Sequence, residues 1–194
     1  MNYLIIYTHP NNNSFSNAIL DKVVSKLTSE NQQVTVRDLY ALDFNPVLKP
    51  LDFDGIKTGN IPEEIRIEQE FIRAADVFIF IYPVWWGGMP AILKGYIDRT
   101  YMHGFAFVYN EIEKKGLFAG KKVILFNTHG TPKEEYDANG MTKAMATVTA
   151  KGIFDFCGAE VLNHSFFGNV TLKEDGSWQE HLDEVTTVLN AIIV

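Results

Sequence analysis

Three short stretches hold the residue types that could recognise a ligand and work on it. The first, THPNNNSFSN at 8–17, brings two serine hydroxyls, His9 and a run of asparagines to the start of a helical pattern. Backbone N–H groups at a helix start are unpaired and carry the positive end of the helix dipole, so this loop suits an anion such as a phosphate. Ser14 capping the helix and His9 packing in a turn would account for the same residues without any ligand, and the spacing leaves both readings open. The second stretch, PVWWGG at 83–88, sets two tryptophans beside two glycines. A flat ring could lie there, with backbone N–H groups reaching its polar edge; the plain alternative is a core tryptophan and a turn. The third, NTHGTP at 127–132, offers Thr128, His129 and Gly130, with Tyr136 shortly after. His129 could act on a ligand or be an ordinary loop residue.

Several other chemistries lack their residues. No GxGxxG follows the first strand, and no GxxxxGK[ST] occurs, so the dinucleotide and P-loop signatures are missing. The histidines at 9, 103, 129, 164 and 181 show no metal-ligand spacing, so no metal is expected. There is no GxSxG nucleophile elbow. Cys157 sits among apolar neighbours at an expected helix end and reads as structural.

Something must bring these loops together. Apolar runs at 3–7 and 77–82 read as buried strands, 123–127 and 160–167 as two further strands, and the alternating QVTVRDL at 33–39 as a half-exposed edge strand. Helical patterns fall between them. One begins near Ser14 or Ser16, one runs over 63–75, one follows Pro90, one covers 141–156, and a last one is capped by Ser177. Residues 44–62 show little periodicity and read as a long surface connection, and 101–116 as an aromatic excursion suited to a lid or an interface. Strands alternating with helices predict an α/β fold, a three-layer doubly wound parallel sheet of five strands. With the order 2-1-3-4-5, strands one, three and four are neighbours, and the three loops meet at the switch point.

Bulk properties narrow the partners. The length of 194 residues fits one α/β domain, expected to span 1–194. A net charge of -7 argues against a nucleic-acid surface and supplies no basic patch for anionic lipid. With a single cysteine there is no disulfide within the chain. The start lacks a basic n-region, and no segment is long enough to span a bilayer, so a soluble cytoplasmic protein without membrane insertion is expected.

The opening strand with HPNNNSFSN, and above all the run YPVWWGGMPAILKGYIDR, resembles the flavodoxin-like NAD(P)H:quinone oxidoreductase family of quinone reductases and modulators of drug activity. The resemblance extends over nearly the whole chain. It implies a noncovalently bound flavin, FAD with FMN as the alternative, and NAD(P)H as co-substrate. By matching position, His9, Ser14, Phe15, Ser16 and Asn17 would hold the phosphates, and Gln69 would touch the adenosine side of FAD. Pro83, Val84, Trp85 and Trp86 would border the isoalloxazine, with Thr128, His129 and Gly130 at its other edge. Tyr136 matches an active-site tyrosine, and Tyr136 and His129 are the candidate catalytic residues. Phe107 and Tyr109, within the aromatic segment 105–109, match positions that close over the partner's flavin in homodimeric relatives. The implied reaction passes hydride from NAD(P)H through the flavin to a quinone or similar electrophile by a ping-pong cycle. A flavodoxin-type electron carrier and a regulatory subunit of a potassium efflux system are the rivals. This chain departs from the mammalian pattern at Gly87, where a phenylalanine stands, at His129, where a glycine stands, and at Thr142, where a histidine is expected.

Overall fold

The computed structural model describes residues 1–171 and 177–193, with the side chain of Ser177 left out, so the cap assigned to Ser177 lies outside the described residues. Five parallel strands form the main sheet: β1 (Asn2–Tyr7), β2 (Gln33–Asp38), β3 (Val77–Pro83), β6 (Lys122–Thr128) and β7 (Glu160–Phe167). Their order is β2-β1-β3-β6-β7, which is the expected 2-1-3-4-5 of a flavodoxin-like sheet. β3 lies at the centre and is buried along its whole length, because helices cover both faces of the sheet. β2 is the half-exposed edge its alternation predicts.

The side-chain alternation of the strands sorts the core into two layers. On one face Tyr3, Ile5 and Tyr7 of β1 and Ile79 and Ile81 of β3 pack against α1 (Phe15–Ser29) and α7 (Ser177–Ile192) through Ile19, Val23, Leu27, Val185 and Leu189. On the other, Leu4, Ile6, Phe78 and Phe80 meet α3 (Glu63–Ala74), α4 (Ala91–Thr100) and the helix after β6 through Ile72, Leu93, Tyr96 and Phe154. Each such fully buried side chain contributes about 1.5–3 kcal/mol before chain entropy is counted.

Four segments differ from their sequence reading or add to it. Residues 44–62 contain a helix, α2 (Pro50–Thr58), and are tied down firmly. Arg99 of α4, buried to 1%, donates from Nε and Nη2 to both carboxylate oxygens of Asp52 at 3.0 and 2.9 Å, and from Nη1 to the carbonyl of Asn45 at 2.7 Å. Gly95 allows the approach: a Cβ there would lie 2.1 Å from the carbonyl oxygen of Pro46. A buried ion pair, with only Ile56 packed on the core beside it, fixes this helix, which is why periodicity misses it. The third loop is not all loop, since it folds a short helix, α5 (Lys133–Ala138). The expected helix over 141–156 is α-helical only as α6 (Met141–Ala146) and then widens into a π-helical segment, Thr147–Asp155. The excursion at 101–116 carries a small antiparallel hairpin of β4 (Phe107–Tyr109) and β5 (Lys114–Gly116). No helix among the described residues is long and apolar enough to cross a membrane.

Candidate functional site

The C-terminal ends of β1, β3 and β6 stand side by side, and the three loops enclose a cleft of ≈ 340 Å³. The loops are locked to one another. Ser16 Oγ lies 2.9 Å from Thr128 Oγ1, joining the first loop to the third, and the Val84 N–H donates to the Thr128 carbonyl at 2.7 Å, joining the second to the third.

Ser14 is the N-cap of α1 and its Oγ accepts from the Asn17 N–H at 3.2 Å. Capping leaves room for an anion, because the other N–H groups of this first turn remain unpaired within the helix and the turn carries no acidic residue. The described lining of the cleft includes no Lys, Arg, Asp or Glu. A phosphate held here would be held by amide and hydroxyl dipoles. His9 accepts from the Asn11 N–H at Nδ1, 3.0 Å, and its ring lies 6.1 Å from that of Trp85. Burial lowers its pKa, with the neighbouring Asn11 backbone working against that, so a neutral ring faces the cleft near pH 7.

The tryptophan turn is tight. Trp85 and Gly88 exchange backbone hydrogen bonds at 3.0 and 3.1 Å, with φ of 53° at Trp86 and 74° at Gly87, the signs of a type I′ turn. Gly87 suits that geometry and Trp86 does not, because a Cβ-bearing residue is strained at positive φ. The turn throws the Trp86 ring fully into solvent, whereas Trp85 forms a wall of the cleft.

His129 is 4% exposed. Its Nδ1–H donates to the Thr131 carbonyl at 2.8 Å, so Nε2 carries the lone pair, and that buried atom has no partner among the described residues. Burial is the main cause of its lowered pKa, which keeps it neutral near pH 7 and makes it an acceptor. Tyr136 of α5 stacks on it at 4.7 Å.

Of the residues expected at the site, His9, Ser14, Phe15, Ser16, Pro83, Val84, Trp85, Thr128, His129 and Gly130 line the cleft. Others do not. Asn17 turns its amide to Asp21 at 3.0 Å on the flank of α1. Trp86 points to solvent, and Tyr136 stands behind His129. Gln69 is buried between α3 and α4 and donates to the Thr100 carbonyl at 3.0 Å, away from the cleft. Thr142 lies on α6, its buried hydroxyl beside the Asp137 carboxylate and away from the cleft. Phe15 lines the cleft but mainly braces its base, packed 4.9 Å from Trp178 and 5.9 Å from Phe167. Asn13, Val170, Thr171 and Trp178 were missed. The signal for the last three was the position of the β7–α7 loop at the same edge of the sheet. Cys157 is buried, which pushes its thiol up to about 11 and leaves it inert at neutral pH.

This geometry fits a flavin on its own terms. An acid-free helix start faces an uncharged cleft, one wall of which is an indole and whose base holds an unpartnered imidazole nitrogen. The family described as Flavodoxin-like fold matches residues 1–189, and this chain belongs to it. A Haemophilus influenzae protein named "Uncharacterized NAD(P)H oxidoreductase" is 39% identical over 176 residues, covering 90% of this chain and 87% of that one. Rat NAD(P)H dehydrogenase [quinone] 1 is 34% identical over 82% of this chain, which spans 65% of the rat protein's length. Among solved structures, an NAD(P)H:quinone oxidoreductase from Methanothermobacter marburgensis superposes with a TM-score of 0.85 at 26% identity, covering 98% of this chain and 94% of that one.

Proposed function

We infer that this chain is a flavin-dependent NAD(P)H oxidoreductase of the quinone reductase type, taking hydride from NAD(P)H and delivering it to a quinone or similar small electrophile. The observation that carries the reading is the cleft at the ends of β1, β3 and β6, where a neutral set of dipoles faces an anion at one end and an indole wall faces a ring at the other. The relatives' names support the same class.

A bound flavin supplies a ring that accepts hydride from one substrate and yields it to the next, which suits donor and acceptor using one face in turn. The protein's own part is placement. The first-turn N–H groups of α1 and the Ser14 and Asn13 side chains would receive the phosphate. Trp85 and Val84 would fix the ring plane, and the backbone of Thr128 to Gly130 its polar edge. His129, neutral with a free lone pair at Nε2, would accept a hydrogen bond from the cofactor or substrate. We assign FAD over FMN on the family resemblance alone.

A homodimer completes the reading. Tyr109, Ile112, Val148 and Phe156 expose apolar surface around β4 and the π-helical segment, and Phe107 is only half-buried, which supports a second copy closing over this region. We also propose a cytoplasmic location, which the single, buried free cysteine supports.

The test is an absorption spectrum of the purified protein, with the released cofactor identified and the mass measured by light scattering. The expected result is a yellow dimer containing FAD, bleached by NAD(P)H and recoloured by a small quinone. A folded, colourless preparation that refuses added FAD and FMN overturns the proposal.

A further inference from the structure

The helix that follows α5 keeps an α pitch over Met141–Ala146 and then widens into nine residues of π-helix, Thr147–Asp155. Such pairing is rare and occurs mostly as single turns, often at functional sites, so a segment this long calls for a cause. The sequence TVTAKGIFD contains no proline that would force it. The buried positions supply the cause. Met145, Thr149 and Phe154 are buried, at spacings of four and then five residues. An α-helix turns about 100° per residue, so residues five apart stand about 140° apart around its axis and do not share a face. Hydrogen bonds spanning five residues bring them onto one side.

Strand β3 requires both residues there. Phe80 and Tyr82 stand two residues apart on one face of the sheet. Phe154 packs on Phe80 with ring centroids 5.0 Å apart. Thr149 is hydrogen-bonded to the Tyr82 hydroxyl, which is also hydrogen-bonded to the amide of Asn127, its neighbour on β6. Burial pushes His164 down to about 4, so its ring is neutral at pH 7, and its Nε2–H donates to Asn127 Oδ1 at 2.5 Å. The Asn127 Nδ2–H is thereby turned to Tyr82, and the phenol, pushed up to about 12 by burial, keeps its proton for Thr149. The same spacing builds a wall. A cavity of ≈ 310 Å³ lies under the Trp85–Gly88 turn, and Val148 and Ile153, again five apart, both line it beside Thr149. In an α-helix one of the two would turn away.

We propose that the Tyr82 hydroxyl is the positioning group for this wall. It holds Thr149 while Phe80 holds Phe154, and so fixes the helix in its wide register and keeps Val148 and Ile153 together on the cavity. That the wall serves the electron acceptor rests on the function proposed above; the register does not.

The test is Tyr82→Phe, which removes one oxygen and leaves the ring. NMR couplings across hydrogen bonds, measured on ¹⁵N,¹³C-labelled protein as purified, report which carbonyl each N–H of the segment pairs with. In the wild type the partner should lie five residues back, and in the variant four. Thr149→Val should make the same change, and the double variant should go no further, because both substitutions remove one shared contact. Thr149→Ser, which keeps the hydroxyl, should retain the wide register. Thr149→Val carries the test should Tyr82→Phe fail to fold. With NAD(P)H and 2-methyl-1,4-naphthoquinone, Tyr82→Phe should raise KM for the quinone about fivefold, the weight of one hydrogen bond, at unchanged kcat. A merely structural defect would instead lower the fraction of active enzyme, and with it kcat, at constant KM. Unchanged pairing in both variants overturns the proposal, and altered pairing with an unaltered KM overturns the link to the acceptor. A colourless protein without turnover that still loses the wide register removes the flavin reading and leaves the register standing.

Discussion

The cleft at the strand ends and the packing behind α3 and α4 handle polar groups in opposite ways. The described lining of the cleft has no formally charged side chain, only amides, hydroxyls and imidazoles. Behind α3 and α4, Arg99 is buried against Asp52 and reaches Glu64 at 2.6 Å, while Glu68 is buried against Arg37 and the Tyr96 hydroxyl. Full charges hold two pieces of main chain together permanently, and dipoles face the space where an anion must arrive. The physical reason is what remains when a partner leaves. Removing one member of a buried ion pair strands the other at a cost of about 3–5 kcal/mol. An emptied helix start strands no charge, because water can solvate its N–H groups.

The largest effect should therefore come from breaking the ion pair. Arg99→Ala should lower unfolding stability by about 3–5 kcal/mol, measured by urea denaturation, and α2 should become the first protease-sensitive segment. The acid response follows from the same pair. Burial raises the Asp52 pKa, but the Arg99 hydrogen bonds and the Lys49 N–H outweigh it, leaving the carboxyl below its usual 3.8. A depressed carboxylate pKa gives stability that is present above the unfolded value and lost as pH falls through the folded one. Wild-type protein should lose this contribution only below about pH 3.8, and the Arg99 variant should have none of it to lose.

His164 predicts an earlier acid limb. Burial holds its pKa at about 4 against an ordinary 6.5. The unfolded chain takes up the proton first, so stability falls as pH drops from 6.5 toward 4. Through this residue the protein should be on the order of 2 kcal/mol less stable at pH 4.5 than at pH 7. His164→Gln should flatten that limb in denaturation curves at the two pH values. An unchanged limb would place the acid sensitivity at His9 or His129 instead, which are also depressed.

The two regions were also unequally legible. The strand runs, their order and the converging loops could be read because burial on both faces of a parallel sheet writes long apolar segments into the chain. Ten of the expected cleft residues line it for the same reason: they sit at the C-terminal ends of those strands or in the loops and helix start that follow them. The charged region was opaque. Nothing within PLDFDGIKT announces that Asp52 meets an arginine 47 residues away, so α2 read as loop. Gln69 matched a family position yet is committed to the Thr100 carbonyl within this chain, a contact that only the docking of α3 on α4 creates. The widening to a π-helix after Ala146 likewise left no mark in an unbroken helical pattern.

The dipole side of the comparison sharpens with one atom changed. Asn13 is exposed, lines the cleft and sits just before the α1 cap. Asn13→Asp should leave stability within about 0.5 kcal/mol, as for other surface changes. It should weaken flavin binding about fivefold at low ionic strength and less at high, because one added negative charge now faces the phosphate. Equal affinity at all salt concentrations would mean that the phosphate lies elsewhere.

The smallest expected effect concerns Trp86, which belongs to neither regime. Its left-handed backbone costs roughly 1–2 kcal/mol, and its ring makes no compensating burial in the isolated chain. Trp86→Gly removes that strain but gives the unfolded chain about 0.5–1 kcal/mol more entropy to lose. The net expectation is a gain of about 0.5 kcal/mol, read as a slightly higher urea midpoint. Strain of this kind persists where a function uses it. The same variant should therefore show a raised KM for the electron acceptor, the indole being held out in solvent next to Trp85, which walls the cleft. A stabilised variant with unaltered kinetics would assign Trp86 to the surface between two copies of the chain.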